Sequence, residues 1–405
     1  MRVIGEKMNP GHHHLPLLVD IMRMAPEIDS ATLVKDVMEL FQKDQTLLAL
    51  PVREEGKFIG AINRKVLFFE QLGRPFAVDL YGKKAIRTLL AKSQLTLDAG
   101  LDINAALAKL LEVDPGLTID SFPVVTAGSC LGIVAVSDLM MKISENQAML
   151  LKALKLLSAR ITEEVDKASK IQRDLLPPPE FCSNDISVSA GVVTSSEIGG
   201  DFYDYFLLSE GSLGLVVADV SGHGVQAGMV TTAAKASLHS LIGKGVTTPA
   251  ELLFGMNNAI LATARQSLLM TCLIAVIDPA NNRLSLANAG HNYPYIIRGK
   301  LDGPEMIQDV AGFPLGFEEN CSYPEITTPF NPGDTLFLYS DGIVECPDYN
   351  GEDFGYDRLE AVLARAGEYS PAELRDLVRK SAEKFTGSSA FEDDVTLLIA
   401  ARAAK

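Results

Sequence analysis

The chain has 405 residues, 47% hydrophobic and 22% charged, which suits two or three folded domains and excludes a disordered chain. Thirty-six basic against 52 acidic residues leave a net charge of −16, a surface that repels phosphate backbones and anionic lipid and so excludes nucleic-acid and membrane-surface binding. No apolar run reaches the roughly 18 residues of a membrane span, the N-terminus lacks the apolar core of a signal peptide, and the five scattered cysteines (Cys130, Cys182, Cys272, Cys321, Cys346) show no CxxC spacing, so a cytoplasmic protein with reduced thiols is expected.

Residues 1–20, with His12, His13 and His14, read as a solvated N-terminal tail. Residues 21–145 contain an internal duplication. The stretches LLALPVREEGKFIGAINRKVLFF and IDSFPVVTAGSCLGIVAVSDLMM each hold an apolar strand with a proline (Pro51, Pro123), a polar turn, a second strand led by glycine (Gly60, Gly132) and an amphipathic helix. A helical pattern precedes each, at 31–43 and 103–111. Helix–strand–strand–helix occurring twice resembles a tandem pair of cystathionine-β-synthase (CBS) repeats, a sensory module. The resemblance implies at most one adenine-nucleotide pocket, at Asp138 just after the second strand; the usual neighbouring hydroxyl is Ala135, and the first repeat has Asn63 and Val66 at the matching positions. Asp138 has a plain alternative role, capping the helix that follows.

Residues 146–180 form a helical linker. Leu150, Leu154, Leu157, Ile161, Val165, Ala168, Ile171 and Leu175 recur at steps of three and four, one apolar stripe on a helix over 143–176 that Pro177, Pro178 and Pro179 terminate. The stripe is expected to pack on its own domain or to join two protomers in a parallel coiled coil; the second arrangement makes the chain a homodimer.

Residues 181–405 read as one large α+β domain. Strands are predicted at 213–220, 268–277, 283–289, 335–339 and 395–400, and a helix at 228–242. Thr248-Pro249-Ala250-Glu251 and Ser370-Pro371-Ala372-Glu373 each announce a helix: a capping hydroxyl, Pro in the first turn, and Glu three residues after the cap.

Four acidic motifs punctuate these elements: Glu197-Ile198-Gly199-Gly200-Asp201, Ala218-Asp219-Val220-Ser221-Gly222-His223-Gly224, Ser340-Asp341-Gly342 and Glu392-Asp393-Asp394. A carboxylate at a strand end is held by a rigid element, and an adjacent glycine leaves the backbone open to a ligand. Several such carboxylates converging would repel one another unless cations neutralise them. All-oxygen ligands favour Mg²⁺ or Mn²⁺ over Zn²⁺, and a pair of such ions suits an in-line displacement at phosphorus.

The ordered set GGDFYD, ADVSGHG, NAGHNYP, GFPLG, LYSDGIVE and EDDVTLL, with the lead-in IQRDLLPP, resembles the metal-dependent protein phosphatase family (PPM, type 2C) over about residues 170–402. It is most similar to the bacterial branch that regulates sigma factors in stress response and sporulation. The resemblance implies a β-sandwich flanked by helices with a two-metal site at one edge. Asp219 would bridge the metals beside the Val220 carbonyl, Asp201 would hold the second metal, and Asp341 and Asp393 would complete the first; Asp394 is the alternative to Asp393. The implied activity is hydrolysis of phosphoserine or phosphothreonine with Mn²⁺ or Mg²⁺ and without a phospho-enzyme. The implied substrate is a phosphorylated STAS-domain anti-sigma-factor antagonist. Two departures stand out: Ser221 occupies the position of a histidine in the eukaryotic pattern, and no arginine precedes Glu197. His223 and His291 are candidate proton donors or turn and supporting residues. Phe202, Tyr203 and Tyr205 read as core or sheet residues and not as substrate contacts. The rival readings are a ligand-responsive scaffold built on a degenerate phosphatase domain, and a two-metal hydrolase of small phosphate esters.

Overall fold

The computed structural model describes residues 15–91, 93–208, 211–264, 267–299 and 303–404. The chain divides into two compact units, Met1–Ser158 and Ala159–Lys405.

The first unit holds α1 (Leu18–Ile21), β1 (Ile28–Asp29), α2 (Val34–Lys43), β2 (Ala49–Glu54), β3 (Lys57–Asn63), a π-helical stretch (Val66–Gln71) and α3 (Ala77–Tyr81). After these come β4 (Leu97–Asp98), α4 (Ile103–Val113), β5 (Ser121–Thr126), β6 (Ser129–Ala135) and the start of α5 (Val136–Leu175). The duplication read from the sequence is repeated in the pairing. In each three-stranded sheet the short first strand runs parallel to the second, with Ile28 opposite Val52 and Leu97 opposite Val124. The second strand is antiparallel to the third, and the register slips at the same point, Val52/Arg53 and Val124/Val125. Asp29 and Asp98 each accept a backbone N–H two residues on, from Ala31 and Gly100, closing equivalent turns.

The two glycines have a steric reason. A Cβ on Gly132 would lie 2.6 Å from the Arg23 carbonyl oxygen, and one on Gly60 would lie 3.0 Å from the Leu90 side chain and 3.2 Å from that of Gln94. Another segment thus crosses each glycine closely. The tail expected over 1–20 is corrected at its described end. Leu17 bridges Asp102, Arg23 bridges Ile133, and Leu18 is fully buried in the core of the second repeat, so the described end of that segment is docked by its apolar residue. His12, His13 and His14 lie outside the described residues. Helix α5 starts at Val136, ahead of the predicted 143, because strand β6 leads straight into a stretch with no breaker.

In the second unit come β7 (Glu180–Ser183), β8 (Ile186–Val193), β9 (Phe202–Leu207), β10 (Leu213–Val220), α6 (Val225–Gly243), α7 (Pro249–Ala264), β11 (Met270–Asp278) and β12 (Arg283–Ala289). They are followed by β13 (Tyr295–Ile297), β14 (Pro304–Met306), β15 (Glu325–Pro329), β16 (Thr335–Tyr339), α8 (Gly355–Leu363), α9 (Pro371–Thr386) and β17 (Val395–Arg402). One antiparallel sheet runs β15-β12-β11-β10-β9 and the other β14-β13-β16-β17-β8-β7. Leu213, Leu215 and Val217 point into the space between the sheets with Leu273, Leu336 and Leu398, whereas Val216, Ala218 and Val220 face the other way into a core shared with α6 and α7. Phe337, Tyr339, Leu397 and Ile399 pack beneath α8 and α9. The order is therefore helices, sheet, sheet, helices. Helices cover both outer faces, so the central strands read as unbroken apolar runs. Ser370 caps α9 with the expected reciprocal Glu373 bond, and the Thr248 hydroxyl donates to Glu251 at the start of α7.

No helix among the described residues is long and apolar enough to cross a membrane.

Candidate active site

The four acidic motifs come together at one end of the sandwich, each placed by a strand terminus. Asp201 opens β9, Asp219 lies one residue from the end of β10 opposite Thr271 of β11, Asp341 follows β16 in a 3₁₀ turn, and Asp393 precedes β17. Two of these strands belong to each sheet, so the sandwich itself brings distant segments to one place.

The electrostatics record the convergence. Burial and the neighbouring charges of Asp341 and Asp393 push Asp219 up to about 7. Burial and the Asp219 charge hold Asp201 far above the usual carboxylate range, and burial with the charge of Asp393 raises Asp341. Asp201 is 4% exposed; its Oδ2 accepts from the Ser340 hydroxyl at 2.6 Å, and its Oδ1 is buried with no hydrogen-bond partner. Gly200 sharpens the site: a Cβ there would lie 2.9 Å from the carbonyl oxygens of both Val220 and Gly222 and 3.6 Å from Asp219 Oδ1. The lack of a side chain lets these oxygens crowd together.

Among the described residues, no group of three or more His, Cys, Asp or Glu side chains is arranged to hold an ion as it stands. An orphaned buried carboxylate oxygen, a cradle of carbonyl oxygens and mutually repelling acids nonetheless fit a hard divalent cation, which would supply the missing positive charge.

Asp393 and Asp394 divide the work. Asp393 is exposed, and among the described residues its carboxylate accepts only the adjoining Asp394 N–H at 2.7 Å, which leaves it oxygen capacity for a ligand. Asp394 is buried and used up: it accepts from Ser195 N (2.7 Å), Ser195 Oγ (3.0 Å), Gly200 N (2.7 Å) and Asp201 N (3.3 Å). It pins the loop that presents Asp201. The Asp394→Ala variant strands buried N–H donors, so a loss of about 3 kcal/mol or more in urea-unfolding stability is expected. Asp393→Asn is expected to leave that stability nearly unchanged.

His291 is 6% exposed, and burial lowers its pKa to about 4, so the ring is neutral. Nε2 lies 3.0 Å from the Tyr339 carbonyl and so must donate to it; Nδ1 then accepts from the Thr271 hydroxyl at 2.7 Å. The ring therefore braces β11, opposite Asp219, against β16, just before Asp341. With both nitrogens engaged it is a brace and not a proton donor. His223 is exposed in the loop between β10 and α6. Phe202 and Tyr203 are core as read, and the hydroxyls of Tyr203 and Tyr205 donate to the carbonyls of Pro177 and Pro178.

Sequence reasoning missed Ser340, Thr231, Gln172 and the true task of Asp394. Thr231, Gln172 and Asp394 act on backbone groups of a loop and Ser340 on the Asp201 carboxylate, and no periodicity reports such contacts. Ser340 stood next to Asp341 in its motif, and Gln172 stood inside the lead-in IQRDLLPP.

In the first unit the Asp138 carboxylate pairs with Arg23 at 2.7 Å. A separate cavity of about 420 Å³ opens near the first repeat's equivalent position, lined by Asn63, Val66, Gln71, Gln94, Asp120 and Ser121 among others. Asn63 donates to Asp120 and to Ser121 Oγ, linking the two repeats across its wall.

Residues 209–403 match the family model described as Stage II sporulation protein E (SpoIIE). Two proteins of Bacillus subtilis (strain 168) are similar to the chain. Phosphoserine phosphatase RsbU is 25% identical over 200 residues, 49% of this chain and 59% of its own length; phosphoserine phosphatase RsbP is 25% identical over 189 residues, 45% of each. The chain thus spans about half the length of the curated relatives it matches. The solved SiaA-PP2C domain of Pseudomonas aeruginosa shares the fold with a TM-score of 0.52 at 23% identity, covering 61% of this chain and 98% of that one. The C-terminal unit thus has the fold of the SiaA-PP2C domain and is similar in sequence to the SpoIIE family model and to RsbU and RsbP.

Proposed function

We propose that the chain is a metal-dependent protein serine/threonine phosphatase that hydrolyses phosphoserine on a cytoplasmic signalling protein in sigma-factor regulation. The observation that carries this reading is the meeting of Asp201, Asp219, Asp341 and Asp393 at one end of a type 2C fold, with their charges uncompensated. The similarity to the phosphoserine phosphatases RsbU and RsbP supports the substrate class.

Asp219 with the Val220 carbonyl, Asp341 and Asp393 would hold one divalent ion, and Asp219 with Asp201 a second; Mn²⁺ and Mg²⁺ suit this all-oxygen set. Such ions supply Lewis acidity and an activated water when bound. The chain's own part is positional. Ser340 fixes one Asp201 oxygen and leaves the other free, Asp394 and Gly200 hold the backbone close, and His291 braces the strands that carry Asp219 and Asp341.

The substrate we favour is a phosphorylated STAS-domain anti-sigma-factor antagonist. The regulator is the N-terminal unit, read as a tandem CBS sensor, for which the duplicated strand pairing and the 420 Å³ cavity speak. An adenine nucleotide at Asp138 would have to displace Arg23. Helix α5 favours a homodimer. Leu150, Leu154, Leu157, Ile161 and Ile171 of its stripe are all more than half exposed, and a parallel second copy would cover them.

The test is phosphate release from phosphorylated STAS proteins encoded near this gene, with Mn²⁺ or Mg²⁺ and with or without adenine nucleotides. Metal-dependent release supports the reading. Divalent binding with no release from any phosphoprotein, but release from small esters, favours the small-ester hydrolase. Absence of divalent binding at millimolar concentration favours the scaffold.

A further inference from the structure

We propose that Gln172 of helix α5 is a positioning residue for the loop that presents Asp201, an inference that rests on the metal-site reading above. Loop 195–201 belongs to no helix or strand, so side chains must satisfy its backbone groups. The Ile198 carbonyl is taken by the Gly224 N–H and the Ser196 hydroxyl, and side chains from three other segments serve further groups. Asp394 takes the N–H groups of Ser195, Gly200 and Asp201. Thr231 of α6 donates to the Gly200 carbonyl at 2.8 Å. Gln172 takes both polar groups of Gly199: its Nε2 donates to the Gly199 carbonyl at 2.7 Å, and its Oε1 accepts the Gly199 N–H at 3.1 Å.

A side-chain amide that grips both the donor and the acceptor of one residue fixes the orientation of the adjoining peptides as well as their position. The next peptide belongs to Gly200, whose place beside Val220, Gly222 and Asp219 defines the oxygen cradle, and the residue after that is Asp201. Sterics keep the grip exclusive. A Cβ on Gly199 would lie 2.7 Å from both Asp394 Oδ2 and Thr194 Cγ2, and one on Gly228 would lie 2.4 Å from Ile198 Cγ2 and 3.4 Å from Gln172 Nε2. Gly228 therefore clears the path by which the amide reaches the loop, and Gly199 lets the loop lie close to Asp394 and Thr194.

The rest of the helix offers little else to hold it there. Between Ile161 and Leu176 only Val165, Ala168, Ser169, Gln172 and Leu176 are shielded from solvent, and Ile161, Ile171 and Leu175 of the apolar stripe are 56%, 63% and 40% exposed. The amide pair is thus a specific polar link on a thin packing face. The helix that carries it begins at Val136, so the residue that sets the Asp201 loop stands on the element leading in from the first unit.

The experiment titrates Mn²⁺ calorimetrically into the full-length chain and its Gln172→Ala and Gln172→Glu variants, alongside kcat and KM for phosphate release and the melting temperature without metal. Gln172→Glu keeps the size but loses the donor and sets a carboxylate oxygen against the Gly199 carbonyl, so it reads out the hydrogen bond if the alanine variant fails to fold. The expected result for both is roughly a tenfold loss of Mn²⁺ affinity and of kcat, with KM for the phosphoprotein held within twofold. Mn²⁺ affinity and kcat within twofold of the parent, whether or not the melting temperature falls, would show a merely structural contact and overturn the proposal. If the parent chain binds Mn²⁺ but releases no phosphate, the proposed activity fails while the Mn²⁺ titration still decides the role of Gln172.

Discussion

Asp219→Asn and Asp341→Asn each abolish divalent-metal-dependent phosphate release, with an expected drop in kcat/KM of at least about a thousandfold, or roughly 4 kcal/mol of transition-state stabilisation. Both replacements keep side-chain shape and remove one negative charge. Asp219 is the hub of the cluster: both Asp341 and Asp393 raise it, and it in turn raises Asp201. Removing the hub removes the shared ligand of both proposed ion positions. Steady-state phosphate release at saturating Mn²⁺ measures the effect. Activity in both variants within tenfold of the parent would show that these carboxylates are not the chemistry-bearing set.

The second large effect is on stability. A carboxyl whose folded-state pKa lies above its unfolded value binds more protons folded than unfolded, so its contribution is present at low pH and lost as pH rises through the folded pKa. Asp219, at about 7 against an unfolded value of 3.8, places that window between about pH 4 and 7; Asp201 and Asp341 shift in the same direction. With chelator present, the chain is therefore expected to lose stability from pH 5 to pH 8. Asp219→Asn should be more stable than the parent at pH 8 by roughly 1–3 kcal/mol, because the repulsion it relieves is stored at the site. Mn²⁺ should restore the parent and do little for the variant. Thermal unfolding at pH 5 and pH 8, with and without Mn²⁺, reads all of this. A parent whose metal-free stability is flat or rises over that interval would mean that the carboxylates do not strain one another.

Much of this site was legible because its acidic residues sit where regular elements end. Strands 213–220, 283–289 and 335–339 were read with the observed bounds, since a strand buried on both faces is an unbroken apolar run flanked by turn residues. The acids at their ends then stood out against Gly and Ser. The duplicated first unit was legible from paired Pro and Gly positions, whose cause is the close crossing at Gly60 and Gly132. What escaped the sequence were contacts between non-repeating segments. Leu18 looked like tail but fills the core of the second repeat, and Asp394 looked like a spare copy of Asp393 but receives four hydrogen bonds from loop 195–201. Gln172, quoted only as part of the lead-in IQRDLLPP, grips Gly199. Such roles depend on which loop lies opposite, and local pattern carries no information about that.

Carboxylates from four segments are proposed to gather and bind divalent cations. Calorimetric titration of Mn²⁺ into the chelator-stripped chain tests it most directly. Saturable binding that Asp219→Asn removes is the expected result. Titrations without heat up to millimolar Mn²⁺, or isotherms identical for parent and variant, would contradict it.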